Sequence, residues 1–199
     1  MKWMNKRMSQ LMVIGVSLCV LATAQGQPSR DDISTVVAAG KVNGDIYSNT
    51  YFGISLTAPK AQFSAPVSVN IARRNARLVN VTYDSPQGAE NYPLGLTADS
   101  LNNYGKDMSP IAYICMWRHE LEKLDGLTRH REEFPLTISG IPFMGAILKV
   151  HDKVNGEYYR GIYSSFIGGY VVSLDVQSGS ESRLQSLLSS AVKINPKKP

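Results

Sequence analysis

The sequence predicts an α+β domain with a central antiparallel sheet, and three observations support that reading. Residues 143–176 hold three segments that alternate apolar and polar residues, separated by two tight-turn signals, Asn155-Gly156 and Gly168-Gly169. Alternation with a period of two marks a half-buried strand, and Asn-Gly supplies the positive-φ pair of a two-residue hairpin turn. This C-terminal three-stranded meander runs into a helix, with Leu184, Leu187, Leu188 and Ala191 at i, i+3, i+4 and i+7. No self-similarity with a period of roughly 20–50 residues is present, which excludes a solenoid or propeller. A sheet followed by amphipathic helices buries one of its faces beneath them.

Residues 1–24 read as an export signal ahead of that domain. Lys2, Lys6 and Arg7 form a positive start, residues 11–24 a weakly polar to apolar run, and Ala22-Thr23-Ala24 the small residues that signal peptidase requires. The run falls short of the roughly 18 apolar residues that span a bilayer. The mature protein then begins near Gln25, in the periplasm or secreted, with no integral membrane span after cleavage. Leu18 stands before Cys19, where a lipidated cysteine needs a small neighbour. Of 21 Lys and Arg, three lie in the signal; none of the 16 Asp and Glu does. The net charge thus falls from +5 to 18 against 16, a well-mixed +2, with no case for nucleic acid. Cys115 is the only cysteine after the signal, so core packing and not a disulfide must hold the 175 remaining residues together.

Along the mature chain, residues 25–41 form a polar leader whose apolar run at 33–39 is long enough for a helical turn. A single α+β domain follows at 42–195, and residues 196–199 form a basic tail. Asn43-Gly44 signals a turn, and residues 47–56 carry aromatic and β-branched residues before Pro59, as in a hairpin or strand pair. Residues 78–83 alternate, with Val79, Val81 and Tyr83 on one face, until Ser85-Pro86-Gln87-Gly88 ends the strand. Residues 97–124 read as helix, with Thr97 and Asp99 in the first turn and a break or kink at Ser109-Pro110. Its second part has Ile114, Trp117, Leu121 and Leu124 on one stripe, with Arg118, Glu122 and Lys123 facing away. Ser178 and Glu181 stand at capping-box spacing ahead of the last helix.

No catalytic, metal or cofactor motif emerges. His119, His130 and His151 lack ligand spacing, and His130 sits between two arginines that repel a cation. His151-Asp152 are neighbours on a strand, so they point to opposite faces. Cys115 borders a buried helix stripe, Ser178, Ser180 and Ser182 suit a helix cap, and Glu132-Glu133 read as a solvated loop pair. Asn80-Val81-Thr82 matches a glycosylation sequon but lies in a strand. The one hint of binding is aromatic. Tyr158, Tyr159, Tyr163, Phe166 and Tyr170 crowd the last hairpin, either as cross-strand pairs covering the sheet or as an interaction patch.

Tyr47-x-Asn49-x-x-Phe52-Gly53-Ile54-Ser55-Leu56-x-x-Pro59 resembles the opening motif of the PsbP-like and DcrB-like families. The tyrosine-rich strand, Gly168-Gly169-Tyr170, and a closing helix that ends in Val192-Lys193-Ile194 are similar too. The resemblance implies an α/β/α sandwich around an antiparallel sheet, in exported or lumenal proteins that mostly lack enzymatic activity. The middle, at residues 111–124, departs from the pattern, and no functional position carries over. The expectation is a non-enzymatic accessory or binding protein of the bacterial envelope, with an envelope protein or small ligand as partner and no cofactor. The alternatives are a hydrolase with a site assembled from His151, Asp175 and a serine, and a membrane-tethered protein with an uncleaved signal.

Overall fold

The computed structural model describes residues 32–59, 61–83, 93–124, 126–153 and 156–195. The expected signal, the turn at 85–88, Asn155 and the tail lie outside the described residues. The first element is α1 (Ile33–Ala38), capped by Asp32, whose carboxylate accepts from the Ser34 N–H. Strands β1 (Gly40–Asn43), β2 (Ile46–Asn49) and β3 (Ile54–Thr57) follow as an antiparallel meander. The chain then builds β4 (Ala61–Ser64), β5 (Ser68–Asn70), β6 (Asn75–Tyr83) and β7 (Pro93–Ser100), and next α2 (Pro110–Glu122). Four long strands come after, β8 (Leu127–Ile138), β9 (Ile141–Asp152), β10 (Gly156–Ile167) and β11 (Tyr170–Ser178), before α3 (Glu181–Ala191) and β12 (Val192–Ile194).

These strands make two antiparallel sheets. The smaller has the order β1-β2-β3-β12, so the last strand closes the sheet that the first ones open. The larger runs β4-β6-β7-β11-β10-β9-β8, with β5 also paired to β6. Strand alternation splits the larger sheet into two faces. Leu94, Leu96, Ile147, Tyr163, Val172 and Leu174 point one way, into a core shared with α1, α3 and the smaller sheet. Ala146, Leu148 and Ile162 point the other way and meet Ile114 and Leu121 of α2. Strand dominates, and part of the layer opposite α2 is sheet, so the arrangement is richer in strand than a plain α/β/α sandwich.

Several expectations change. The helix expected over 97–124 begins only at Pro110, and Thr97 and Asp99 lie in β7. Buried Leu96, Ala98 and Ser100 alternate there with half-buried Thr97 and Asp99, a period-two pattern that the helical reading overlooked. Pro110 sits in the first helical turn, where its missing N–H costs nothing, and the Ser109 hydroxyl caps the helix by accepting from Ala112. Ile33 and Val36 of the expected leader are fully buried in the core. The final helix is capped by Ser180, two residues beyond the expected Ser178. Residues 132–133, expected in a loop, lie within β8.

The opening motif has a physical explanation. Asn49 is buried, and its amide N–H donates to the Val36 carbonyl at 2.9 Å, fastening α1 to β2. Its Oδ1 accepts from the backbone N–H groups of Tyr51 and Phe52 at 3.1 and 3.3 Å. That holds the turn in which Gly53 adopts φ +67°. Phe52 packs edge-on to Tyr51 and Tyr170, joining this turn to the larger sheet. Replacing Asn49 by Ala removes the hydrogen bonds that its side chain makes to one carbonyl and two N–H groups. Denaturant titration of Asn49→Ala is expected to show a loss of about 2–3 kcal/mol of stability, since each buried hydrogen bond lost costs on the order of 1 kcal/mol.

Candidate functional site

The last hairpin concentrates aromatic residues, and one of them shapes a cleft. Tyr163 is almost wholly buried and faces Gly145 across the β9–β10 ladder. A Cβ on Gly145 would lie 2.6 Å from its ring, and one on Gly161 would lie 2.4 Å from its hydroxyl oxygen. The ring therefore lies back along β10 over two glycines, a placement that only the absence of side chains permits. Its hydroxyl finds no hydrogen-bond partner among the described residues. Burial raises its pKa, Glu181 adds to the rise and Arg131 opposes it, so the hydroxyl stays a proton donor. The hydroxyl oxygen lies over Gly161, level along the sheet with Arg131 of β8, since both oppose Ile147 of β9.

There a cleft of about 540 Å³ runs between β8 and α3. Arg131, Tyr163 and Gln185 line it, and Phe134, Leu136 and Leu188 supply apolar wall. Arg131 donates to Glu181 at 3.0 Å and stacks over the Phe134 ring at 3.8 Å. At the opposite end the Ser139 hydroxyl donates to the Val192 carbonyl at 3.3 Å. A second cleft of about 630 Å³ lies toward the start of α2, with Ile111, Met144 and Phe166 in its wall. Pro135, Leu136 and Thr137 line both clefts. The two hollows thus flank one stretch of β8, the edge strand of the larger sheet.

The aromatic residues named from sequence divide between locations. Tyr163 and Tyr170 belong to the core, and Tyr159 packs partly buried against it. Phe166 reaches the second cleft, and Tyr158 sits half-buried on the alternate face of β10. They form no continuous exposed patch; cross-strand covering of the sheet accounts for most of them.

The other candidates are spoken for. His151 meets Glu157 at 2.8 Å, while Asp175 holds Arg160 at 2.6 and 2.9 Å. On β10 their partner positions are Glu157 and Ile162, about 17 Å apart along the strand at the usual rise, so no triad assembles. His130 contacts Glu181 at 3.0 Å, and the His119 ring lies 3.1 Å from the Cys115 carbonyl and 3.8 Å from its sulfur. Asn80 accepts from the Arg77 guanidinium. Ser178 is buried with an unpartnered hydroxyl, and Ser180 and Ser182 hydrogen-bond each other at the helix start. Among the described residues no three His, Cys, Asp or Glu side chains gather to hold a metal ion. Among the same residues no helix is long and apolar enough to cross a membrane.

Arg118, expected to face away from the sheet, is 5% exposed. It donates to Glu133 at 2.7 Å and to Glu122 at 2.8 and 2.9 Å, and Arg129 joins Glu122 to Glu132. The buried face of α2 is accordingly Tyr113, Ile114, Arg118 and Leu121, while Trp117 and Leu124 stay 39% and 54% exposed. Glu132 and Glu133 lie on a strand and pair with Arg129 and Arg118 respectively. Desolvation lowers the Arg118 pKa, but the hydrogen bonds it donates to Glu133 and Glu122, together with their negative charges, outweigh this and raise it. Burial pushes the Glu133 carboxyl up, but the Arg118 hydrogen bond, a backbone hydrogen bond and the Arg118 charge together hold it below its ordinary value. Glu122 is held low chiefly by Arg129, and also by Arg118.

No protein-family model matches the chain, and no curated protein sequence does. Among solved structures it is similar to LpqN of Mycobacterium tuberculosis, which is involved in cell envelope biogenesis. The identity is 13% over 72% of this chain and 83% of that one, with a TM-score of 0.47. It is also similar to cyanobacterial PsbP from Synechocystis, at 12% identity over 77% of this chain and 95% of that one, TM-score 0.47.

Two consequences can be measured. Carboxylates with depressed folded-state pKa values stabilise the protein above their ordinary range and lose that contribution as pH falls through the folded value. Arg118→Met is expected to cost about 2–3 kcal/mol near neutral pH, the scale of charged hydrogen bonds. The gap from wild type should narrow as unfolding is measured from pH 6 down through the carboxylate range; a gap independent of pH would dissociate Arg118 from Glu122 and Glu133. For Tyr163→Phe, deleting an unpartnered buried hydroxyl should leave stability unchanged or raise it by about 1 kcal/mol in the same assay.

Proposed function

We propose that this protein is a non-enzymatic accessory or binding protein of the bacterial envelope, carried out of the cytoplasm by residues 1–24 and working in the periplasm or secreted. In this reading the domain follows a PsbP-like plan, and its partner is an envelope protein or small ligand held beside β8. The observation that carries the reading is the cleft between β8 and α3. A hollow with apolar wall from Phe134, Leu136 and Leu188 and a few polar groups, Arg131 and Gln185 among them, has the usual form of a binding site. The dispersal of His151 and Asp175 onto separate ion pairs favours binding over the hydrolase alternative.

Two measurements test it. Mass spectrometry of the protein recovered from expressing bacteria should show an N-terminus at Gln25; one at Met1 would favour the tethered alternative. A photo-reactive residue placed at Thr137 should give a discrete cross-linked product in envelope extract. The same probe at exposed Ile71 in β5's neighbourhood should give none. Equal products from both positions, or none from either, would remove the cleft from the account.

A further inference from the structure

We infer that the β4–β5 edge of the larger sheet docks on an anionic phospholipid bilayer, with Ile71 entering the headgroup layer and Arg73 and Arg74 meeting the lipid phosphates. This goes beyond the binding reading above. It uses the edge of the sheet opposite β8 and its clefts.

Charge is the first ground. The net charge after the signal is close to balance, yet its members are unevenly placed. Residues 46–83 hold Lys60, Arg73, Arg74 and Arg77 and no Asp or Glu. Among the described residues Arg73, Arg74 and Arg77 have no ion-pair partner. The Arg77 guanidinium lies over Gly95 and donates to the neutral Asn80 side chain at 2.5 Å. One acid is close in register: Asp99 opposes Asn75, and its carboxylate accepts from Asn103 and Tyr104. It offsets one charge and leaves the edge basic.

Shape is the second ground. Residues 64–73 are exposed without a break, and Val67, Val69 and Ile71 recur there at every second position, 40%, 42% and 65% exposed. Val69 opposes Ala76 of the core, so this apolar row extends the core face of the sheet outward into solvent. Ile71 stands at the turn into β6 and lines neither cleft. A small ligand or a partner's side chain needs a hollow to enclose it. A bilayer needs none, because headgroups part around a protruding apolar side chain while adjacent arginines meet their phosphates.

The turn is also held in advance. The Asn70 side-chain oxygen accepts from the Arg73 N–H at 3.0 Å, and the Arg74 N–H donates to the Ile71 carbonyl at 3.1 Å. The Asn103 amide donates to the Arg73 carbonyl, and the Ser100 N–H to that of Arg74 at 3.1 Å. Arg74 takes φ +48°, a conformation that Gly or Asn adopts more readily. The turn itself does not call for a basic residue there, whereas an anionic surface does.

The test is co-sedimentation of the mature protein with sucrose-loaded vesicles; without residues 1–24 it reports this edge and not an uncleaved signal. Vesicles of phosphatidylcholine and phosphatidylglycerol in equal parts should carry it down, phosphatidylcholine alone should not, and added salt should release it. Arg73→Gln and Arg74→Asn should each weaken binding about fivefold. Ile71→Ser should weaken it about fivefold to tenfold. Val42→Ser, at an equally exposed apolar residue of β1, should change nothing. Melting temperatures check that each variant folds, and Val69→Thr replaces Ile71→Ser if that one does not. A lipid adds no second polypeptide, so the absence of a cross-linked protein at Ile71 agrees with this docking. No sedimentation with anionic vesicles, or equal sedimentation with neutral ones, overturns it. Loss in the arginine variants with none at Ile71 or Val69 reduces it to adsorption by charge and overturns it as well.

Discussion

The rest of the structure turns on the fit of Tyr163 over Gly145 and Gly161. The ring is the side chain that joins the large core to the cleft beside α3, and it can lie flat only because neither neighbour has a Cβ. A ring standing upright from β10 would push into the space that α3 and Phe134 occupy. Lying back, it lets Phe134 meet it edge-on at 6.3 Å and lets Leu188 close over the sheet from α3. The same posture buries the hydroxyl where no group among the described residues answers it. Packing and an unsatisfied polar atom thus come from one conformational fact, and the cost of the second is sustained by the first.

Much of this fold was legible where a local signal agreed with the tertiary outcome. The C-terminal meander was clear because alternation, Gly168-Gly169 and the closing stripe all coincide, and both glycines do take positive φ. Asn49 and Gly53 were legible as a pattern, though their reason is tertiary: the amide bridges α1 and a turn distant in sequence. Residues 97–100 misled because Thr and Asp are good first-turn residues, yet the partner strands β6 and β11 decide the outcome there. β8 was missed for a related reason. Charges at residues 129–133 mimic a solvated loop, but on an edge strand both neighbours in sequence can reach water or an ion-pair partner.

Arg118 shows why the site was harder to read than the fold. Its place on the helix wheel is unremarkable, and its burial follows from Glu133, which arrives on β8 after the chain has turned back. Two carboxylates and a guanidinium that sequence assigns to solvent instead close the contact of α2 with the sheet. A pair with one member removed leaves a charge in a poorly hydrated place, so such networks are more costly to break than valuable to own. The clefts were invisible for the same reason: each sets residues 135–137 of β8 against a different helix, Pro110 and Ile111 of α2 in one and Gln185 and Leu188 of α3 in the other, all distant in sequence.

An exposed edge strand is ordinarily a hazard, and β8 is treated as one along most of its length. Charged side chains, two register irregularities and Pro135 all discourage a second sheet from growing on it. Such defences would be complete if the regular ladder ended with the charges. Instead it resumes at Phe134 and continues to Ile138, with Thr137 presenting both backbone groups outward between two hollows. Pro135 removes one donor without removing its carbonyl, which shortens the edge. The edge is thus guarded by charge and irregular register as far as Arg131, and beyond it by a proline and the tight turn that follows Ile138.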